Sequence, residues 1–312
     1  MIQRTATDPS RFAHRWIFTN AARTAWELLL RNIHLEAGKS ILLPAYIGIT
    51  DREGSGVLDP VENTKTAFTL YPVGERLQVD LNVIEDLLKT GKHPLLLVMH
   101  WFGLLHVDMP ALKTLCDRHG VLLIEDCAHV PGPSARADGP GSFGAAAFHS
   151  LHKMIAVPNG GALRVNDERL IVPVPNENEG CAGSTLEQFI RTDMTAVATA
   201  RRTNYSWLVE RLAKVEGIEV LYPSIGDLVP HDFPIRVHDG LREKLYFALM
   251  DQGLPTIALY YRMIAPITPE QFPLSHALSK SILNLPVHQD TTLADLELLS
   301  DALEASLKTL RA

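Results

Sequence analysis

A carboxylate and an amine, each placed just after an apolar run, define the chemistry open to this chain. The run Val121-Leu-Leu-Ile124 ends in Glu125 and Asp126. A second apolar stretch, Gly144 to Phe148, leads into Ser150-Leu-His-Lys153, and Pro158-Asn-Gly-Gly161 follows. A short apolar run of this kind suits a buried strand of a parallel sheet, although a short helix has the same pattern. Ligands of open α/β sheets sit beyond the carboxyl ends of strands. On the strand reading, Asp126 stands at one such end and Lys153 at another. Pyridoxal phosphate needs that pair: a lysine that condenses with its aldehyde, and an aspartate that keeps its pyridine nitrogen protonated so that the ring draws in electrons. Lys153 would then be attachment point and general base, and Asp126 the ring-nitrogen partner. The plainer reading makes Asp126 a turn cap and Lys153 a solvated charge. Either residue alone would mean no more than that, and only the pair shifts the balance.

The elements that must hold this pair can be read in chain order. Residues 1 to about 17, with Arg11, Arg15 and Trp16, read as irregular. Apolar residues at helical spacing predict a helix over 21–33, opened by Thr19-Asn20. Strands are expected over 40–43, 66–71 and 94–99, with a loop over 51–63. A helix from about 80 to 88 has Asp80 as its cap. Another over 109–119 is stopped by Gly120. His100, directly after a strand, reads as a structural histidine. Gly160-Gly161 precede a strand over 162–165, at a point where a side chain would crowd the site. Beyond a loop-rich passage, one long amphipathic helix is expected over 186–213, bridging two parts. Strands over 218–222, 233–237 and 253–261 follow, with a helix over 240–252 and a closing helix from about 294. Strands alternating with helices through most of the chain indicate an α/β fold with a mainly parallel sheet. The reading divides it into a large domain, 1–205, and a small α+β domain, 206–312.

Composition excludes several classes. The 312 residues are 46% hydrophobic and 21% charged, an ordinary globular balance. A formal net charge of -7 argues against a nucleic-acid surface. Cys116, Cys127 and Cys181 are too few and too scattered for a disulfide framework or a metal site, which fits a reducing cytoplasm. The first residues lack an apolar signal core. The longest apolar block, Pro94 to Leu105, is too short to span a bilayer.

Ile124-Glu-Asp-Cys-Ala-His129, Gly141-Ser-Phe-Gly144 with the run to Lys153, and Asn159-Gly-Gly-Ala-Leu-Arg-Val-Asn-Asp167 together resemble the core of the DegT-type (DegT/StrS) sugar aminotransferases. The resemblance implies an aspartate-aminotransferase-like (fold type I) large domain with a small C-terminal α+β domain. It also implies a pyridoxal-phosphate-dependent aminotransferase that moves an amino group from an amino acid, often glutamate, to a keto sugar, often nucleotide-linked. A homodimer with its sites at the subunit junction goes with it.

Residue by residue, the resemblance sets His129 beside the cofactor ring through Asp126-x-x-His129. It makes Asn20-Ala-Ala-Arg-Thr24 the phosphate turn, with Ala22 and Arg23 as ligands at a helix start. Pro44-Ala-Tyr46 is similar to the family's Pro-Ala-Tyr. The family's ring-stacking aromatic two residues on is Gly48 here, which leaves Tyr46 or Trp101 to cover the ring. Ser150 is the expected phosphate ligand, with His152 a weaker one; the family's own serine position is Phe148. Arg236, Tyr261 and Arg262 are candidates to meet a substrate carboxylate or phosphate.

The departures keep two alternatives open. Ser150-x-His152-Lys153 is closer to cysteine desulfurases, and a lyase of that type could use Cys181 as a mobile thiol. Ala22 and Gly48 would equally suit a non-catalytic regulatory protein that retains the fold.

Overall fold

Runs of Leu, Ile and Val too short for helices build the frame. The computed structural model describes residues 15–131 and 139–312, so Arg11 and the central part of the Gly/Pro-rich loop lie outside the described residues. Seven strands form one sheet: β1 (Arg15–Thr19), β2 (Ile41–Pro44), β3 (Phe68–Tyr71), β4 (Leu95–Met99), β5 (Leu122–Cys127), β6 (Ala146–Ser150) and β7 (Gly161–Val165). Their order is β1-β7-β6-β5-β4-β2-β3. β7 runs antiparallel to both its neighbours, while the other pairs are parallel.

That single reversal decides where a site can form. The carboxyl ends of the six co-directional strands and the amino end of β7 all reach the same edge. Register completes the alignment. Asp126 faces Met99 on one side and Phe148 on the other, and Gly161 lies between Ser150 and Thr19. β2, β4, β6 and β7 are buried along their whole length, as expected of strands covered on both faces.

Helices α1 (Ala22–Leu30), α2 (Leu58–Asn63), α3 (Leu81–Lys89) and α4 (Met109–His119) connect these strands. Asp80 caps α3 by accepting from the Asn82 N–H, and Gly120 ends α4 in the left-handed conformation, as predicted. Two expectations fail here. β1 is a strand where the sequence reads as irregular, because it pairs along β7 and tertiary pairing overrides a weak local pattern. α2 lies inside the segment expected to be a loop, held by the burial of Leu58, Pro60 and Val61.

The expected long helix is two helices, α5 (Gly183–Arg191) and α6 (Met194–Leu212). Thr192 is extended, and Asp193 accepts from the Thr195 and Ala196 N–H groups, so a cap lies where continuity was expected. The 205/206 boundary falls within α6. A second sheet, β8 (Ile218–Val220), β9 (Asp232–Val237) and β10 (Ile282–Pro286), is antiparallel in the order β10-β9-β8. α7 (Arg242–Met250), α8 (Pro273–Ser281) and α9 (Leu293–Arg311) complete the described α-helices. Tyr205 and Leu208 of α6 join Phe233, Leu245, Leu285 and Leu303 in a second core.

The strand expected over 253–261 does not form. Pro255 has no N–H to give a ladder, and the segment makes only an isolated bridge, Ile257 with Asn284. It then runs back to lie beside the residues after β2. Among the described residues, no helix is long and apolar enough to cross a membrane.

Candidate active site

A cleft of about 280 Å³ opens at the edge where the strand ends gather. Lys153, Asp126, His129, Ala22, Arg23 and Ser150 all line it. These six residues expected to serve the cofactor therefore meet in one place. Tyr46 is not on the wall. It is fully buried behind it, with its hydroxyl donating to the Leu259 carbonyl (2.7 Å) and accepting from the Tyr260 N–H (3.1 Å). Trp101 and Tyr260 line the cleft instead.

Lys153 sits in the turn just beyond β6. Its side chain lines the cleft and is exposed to it. Protein crowded around the amine end strips solvent from it and lowers its ammonium below the ordinary lysine range, although the residue opens to the cleft, and the charges of Asp126, Asp232 and Glu53 pull the other way. Two side chains that the sequence reading missed hold its turn. Arg201, buried on α6, donates to the His231 carbonyl (3.0 Å) and reaches toward the Lys153 carbonyl (3.5 Å). Arg201 also donates to Gln289, whose amide donates to the Met154 carbonyl (3.1 Å). An exposed arginine on a polar helix face has the same local sequence, so nothing in the chain distinguished this one.

Asp126 is the complementary group. Its carboxylate accepts from the Ala128 N–H (2.8 Å) and is otherwise poorly compensated. Burial therefore pushes its pKa up to about 6, against the pull of that N–H and of Lys153 and His100. His129 receives the Phe102 N–H at Nδ1 (3.1 Å) and stacks on His231 at 4.6 Å. Burial, then the Lys153 and His231 charges, hold its imidazole well below the ordinary range, so it is neutral.

The neighbouring Glu125 has a different job. One oxygen meets His100 Nε2 (2.8 Å) and the Gly141 N–H (2.7 Å), and the other accepts from the N–H groups of Phe143 and Gly144. Burial alone would raise its pKa, but these donors bring it below the usual range. His100 thus holds Glu125, and it also lines the cleft. Cys127 lies close enough to His100 and Glu125 to complete a three-ligand set by distance. Glu125's four donors, however, already use the acceptor positions an ion would need.

At the opposite end, α1 opens on Ala21 with no side-chain cap. Its first N–H groups have no partner within the helix, and the helix dipole adds positive character there. Ala22 and Arg23 present this end to the cleft. The glycine missing from the turn has a counterpart across it. A Cβ on Gly161 would lie 2.2 Å from the Ala21 carbonyl carbon and 2.4 Å from the Ala22 nitrogen. The close approach is thus supplied by β7, and what a side chain at 161 would crowd is the helix start itself. Gly161→Ala is expected to destabilise the fold by about 1–3 kcal/mol through overpacking, measured by urea unfolding.

Ser150 Oγ lies 3.3 Å from His152 Nδ1, and both border the same end. The Arg23 guanidinium donates to the Glu53 carbonyl and lies 3.7 Å from Asp59. An anion at this end would meet backbone N–H groups, a hydroxyl and a cation. A protonated ring nitrogen at the other would meet the under-compensated Asp126 carboxylate. These residues fit pyridoxal phosphate.

Other candidates lie elsewhere. Arg236 pairs with Glu219 (3.0 Å), Arg262 pairs with Asp51, and Tyr261 is exposed; none of them lines the cleft. Cys181 does not line it either, and burial raises its thiol.

Comparison with known proteins agrees with this geometry. The profile of the DegT/DnrJ/EryC1/StrS aminotransferase family matches residues 14–175. The chain is 25% identical to GDP-perosamine synthase of Caulobacter vibrioides, an alignment covering 93% of this chain and 85% of that protein. It is 23% identical to the UDP-N-acetyl-3-dehydro-alpha-D-glucosamine 3-aminotransferase of Acidithiobacillus ferrooxidans, covering 83% and 75%. Its fold matches that of Helicobacter pylori PseC, an aminotransferase involved in pseudoaminic acid biosynthesis, with a TM-score of 0.80 at 14% identity over 96% of this chain and 89% of that one.

Proposed function

This chain belongs to the DegT/DnrJ/EryC1/StrS aminotransferase family, and from that premise we propose that it transfers the amino group of an amino acid, glutamate, to a keto sugar carried on a nucleotide. Pyridoxal phosphate, when bound, supplies an electron-drawing ring that stabilises negative charge on the substrate carbon. The observation that carries the reading is the convergence of Lys153 and Asp126 on one cleft with an uncapped helix start at its far end.

In this reading Lys153 would hold the cofactor through its aldehyde, and its free amine would carry the proton at Nζ. Its lowered pKa favours the free amine that such a base needs. Asp126 holds the proton on the ring nitrogen. His129, neutral and fixed through Nδ1, would lie by the ring. The N–H groups of Ala22 and Arg23, with the Ser150 hydroxyl, hold the phosphate. Seated against the uncapped turn, that phosphate would offset the helix-end charge. Residues 1–205 form the cofactor-binding domain in this scheme and 206–312 the smaller one, joined through α6. The protein works as a cytoplasmic homodimer.

The two relatives named above are themselves nucleotide-sugar enzymes by name, which supports the acceptor class. A direct test is to load the purified protein with pyridoxal phosphate, add glutamate, and follow the cofactor's absorption band together with 2-oxoglutarate formation. The expected result is a shift of the band with one 2-oxoglutarate per site. A loaded protein whose band is unmoved by any amino donor would refute the reading. Light scattering would measure the subunit number.

A further inference from the structure

Gly48 and Tyr260 are distant in sequence and interlocked in space. A Cβ built on Gly48 would lie 2.1 Å from Cδ1 and 2.2 Å from Cγ of Tyr260. The tyrosine ring therefore fills the space in which a side chain at 48 would begin. The segment that carries it is fastened along the residues after β2. The Ile49 N–H donates to the Arg262 carbonyl (3.1 Å) and the Ile264 N–H to the Ile47 carbonyl (3.0 Å), on either side of a Gly48–Met263 bridge.

The backbone of Tyr260 is pinned as well. Its N–H donates to the Tyr46 hydroxyl (3.1 Å), and its carbonyl accepts from the Ser279 hydroxyl (2.6 Å). With the main chain fixed, the ring has few rotamers to choose from. The buried hydroxyl of Tyr46 is therefore not idle: it is the hook that holds Tyr260 at the wall.

Three large aromatic rings line the cleft: Trp101, Phe148 and Tyr260. Trp101 is 1% exposed and meets Tyr46 edge-on, with its ring N–H donated to the Tyr46 carbonyl (3.2 Å). Phe148 is 2% exposed and stacks on Trp26 at 5.4 Å. Both are spent on packing. Tyr260 also packs on Tyr46, with ring centroids 5.5 Å apart, but it retains accessible surface and lines the cleft. It is near enough to Asp126 for that carboxylate's charge to act on the phenol.

We propose that Tyr260, entering from the C-terminal part of the chain, supplies the aromatic face that covers the cofactor's pyridine ring, and that residue 48 is glycine because the Tyr260 ring occupies its side-chain space. The assignment rests on the function proposed above. It makes Tyr260 a binding residue acting through its ring rather than its hydroxyl.

The test uses the full-length protein and pyridoxal phosphate as the probe, with affinity from tryptophan quenching and ring environment from the circular dichroism of the bound cofactor. Tyr260→Ala should weaken cofactor binding about tenfold or more and collapse the dichroic signal. Tyr260→Phe should stay within about twofold, since the ring remains. Gly48→Ala should weaken binding by itself, by driving the ring aside, yet add nothing in the Tyr260→Ala background. Thermal melting of each variant without cofactor separates misfolding from loss of the ring contact, and Tyr260→Phe keeps the test open if Tyr260→Ala does not fold. Unchanged binding and dichroism in Tyr260→Ala, or a Tyr260→Phe as damaged as Tyr260→Ala, would overturn the assignment while leaving the proposed function standing. Wild-type protein that binds no pyridoxal phosphate would sink both.

Discussion

Lys153→Ala is expected to lower transamination by about 10²–10⁴-fold, the scale of losing a positioned proton carrier, and to leave no cofactor attached after borohydride reduction. The two readouts are linked because the same Nζ makes the covalent link and moves the proton. Peptide mapping of the reduced wild-type protein should find the label on Lys153 and on no other lysine. Lys153→Arg separates the roles. A guanidinium keeps the positive charge beside Asp126, which acts on this site electrostatically. It cannot form the link, and it does not deprotonate in proteins. Lys153→Arg should therefore fold and hold the cofactor non-covalently, with turnover as low as in Lys153→Ala. Substantial turnover in either variant would remove Lys153 from the chemistry. The turn itself should survive both substitutions, because Arg201 and Gln289 grip its carbonyls and not its side chain.

The distribution of what could be read beforehand follows from physics. Asp126, Lys153 and the strands that carry them were legible because a buried parallel strand must be a continuous apolar run, and a polar residue at its end stands out against it. Asp80 and Gly120 were legible because caps are local. Tyr46 shows the opposite case. Its position after β2 marks it as near the site, but whether a side chain faces the cleft or lies behind it depends on the segment 257–264, laid against it from more than two hundred residues away. Arg201 and Gln289 were invisible for the same reason, since a buried guanidinium and an exposed one share a local sequence. The break between α5 and α6 was in principle readable. Asp193 is a cap residue, but runs of helix-compatible residues on both sides concealed it. Gly161 was recognised as necessary, whereas the partner that makes it so, the start of α1, could be found only in space.

Asp126 should make cofactor binding pH-dependent in a way that no exposed aspartate would. Burial lifts its pKa from 3.8 to about 6 in the protein without cofactor. Because a protonated ring nitrogen needs a carboxylate opposite it, binding below that value must first expel a proton. The Asp126 contribution to affinity should therefore fall by up to about tenfold per pH unit below about 6 and level off above it. The phosphate of the cofactor also ionises near pH ~6, so the measurement belongs on pyridoxal, which lacks it, with pyridoxal phosphate beside it. Asp126→Asn should flatten the pyridoxal profile and lower turnover by about 10²–10³-fold, the range for one preorganised electrostatic group. The same raised pKa has a consequence for stability, with the opposite sign to the usual salt-bridged aspartate. The folded protein holds this proton more tightly than the unfolded chain does. The contribution is therefore fully present below the unfolded value of 3.8 and is lost as pH rises through about 6. Above that, the ionised carboxylate destabilises the cofactor-free fold by about 2–3 kcal/mol. At pH 8 the cofactor-free Asp126→Asn protein should accordingly melt higher than wild type, and the gap should close below about pH 4. Bound cofactor should reverse the order, because its ring N–H gives the carboxylate a partner that the amide cannot match. A carboxylate that costs the empty fold stability and repays it only on loading is one held for binding. An Asp126→Asn variant less stable than wild type at pH 8 without cofactor would show that the residue is instead structural.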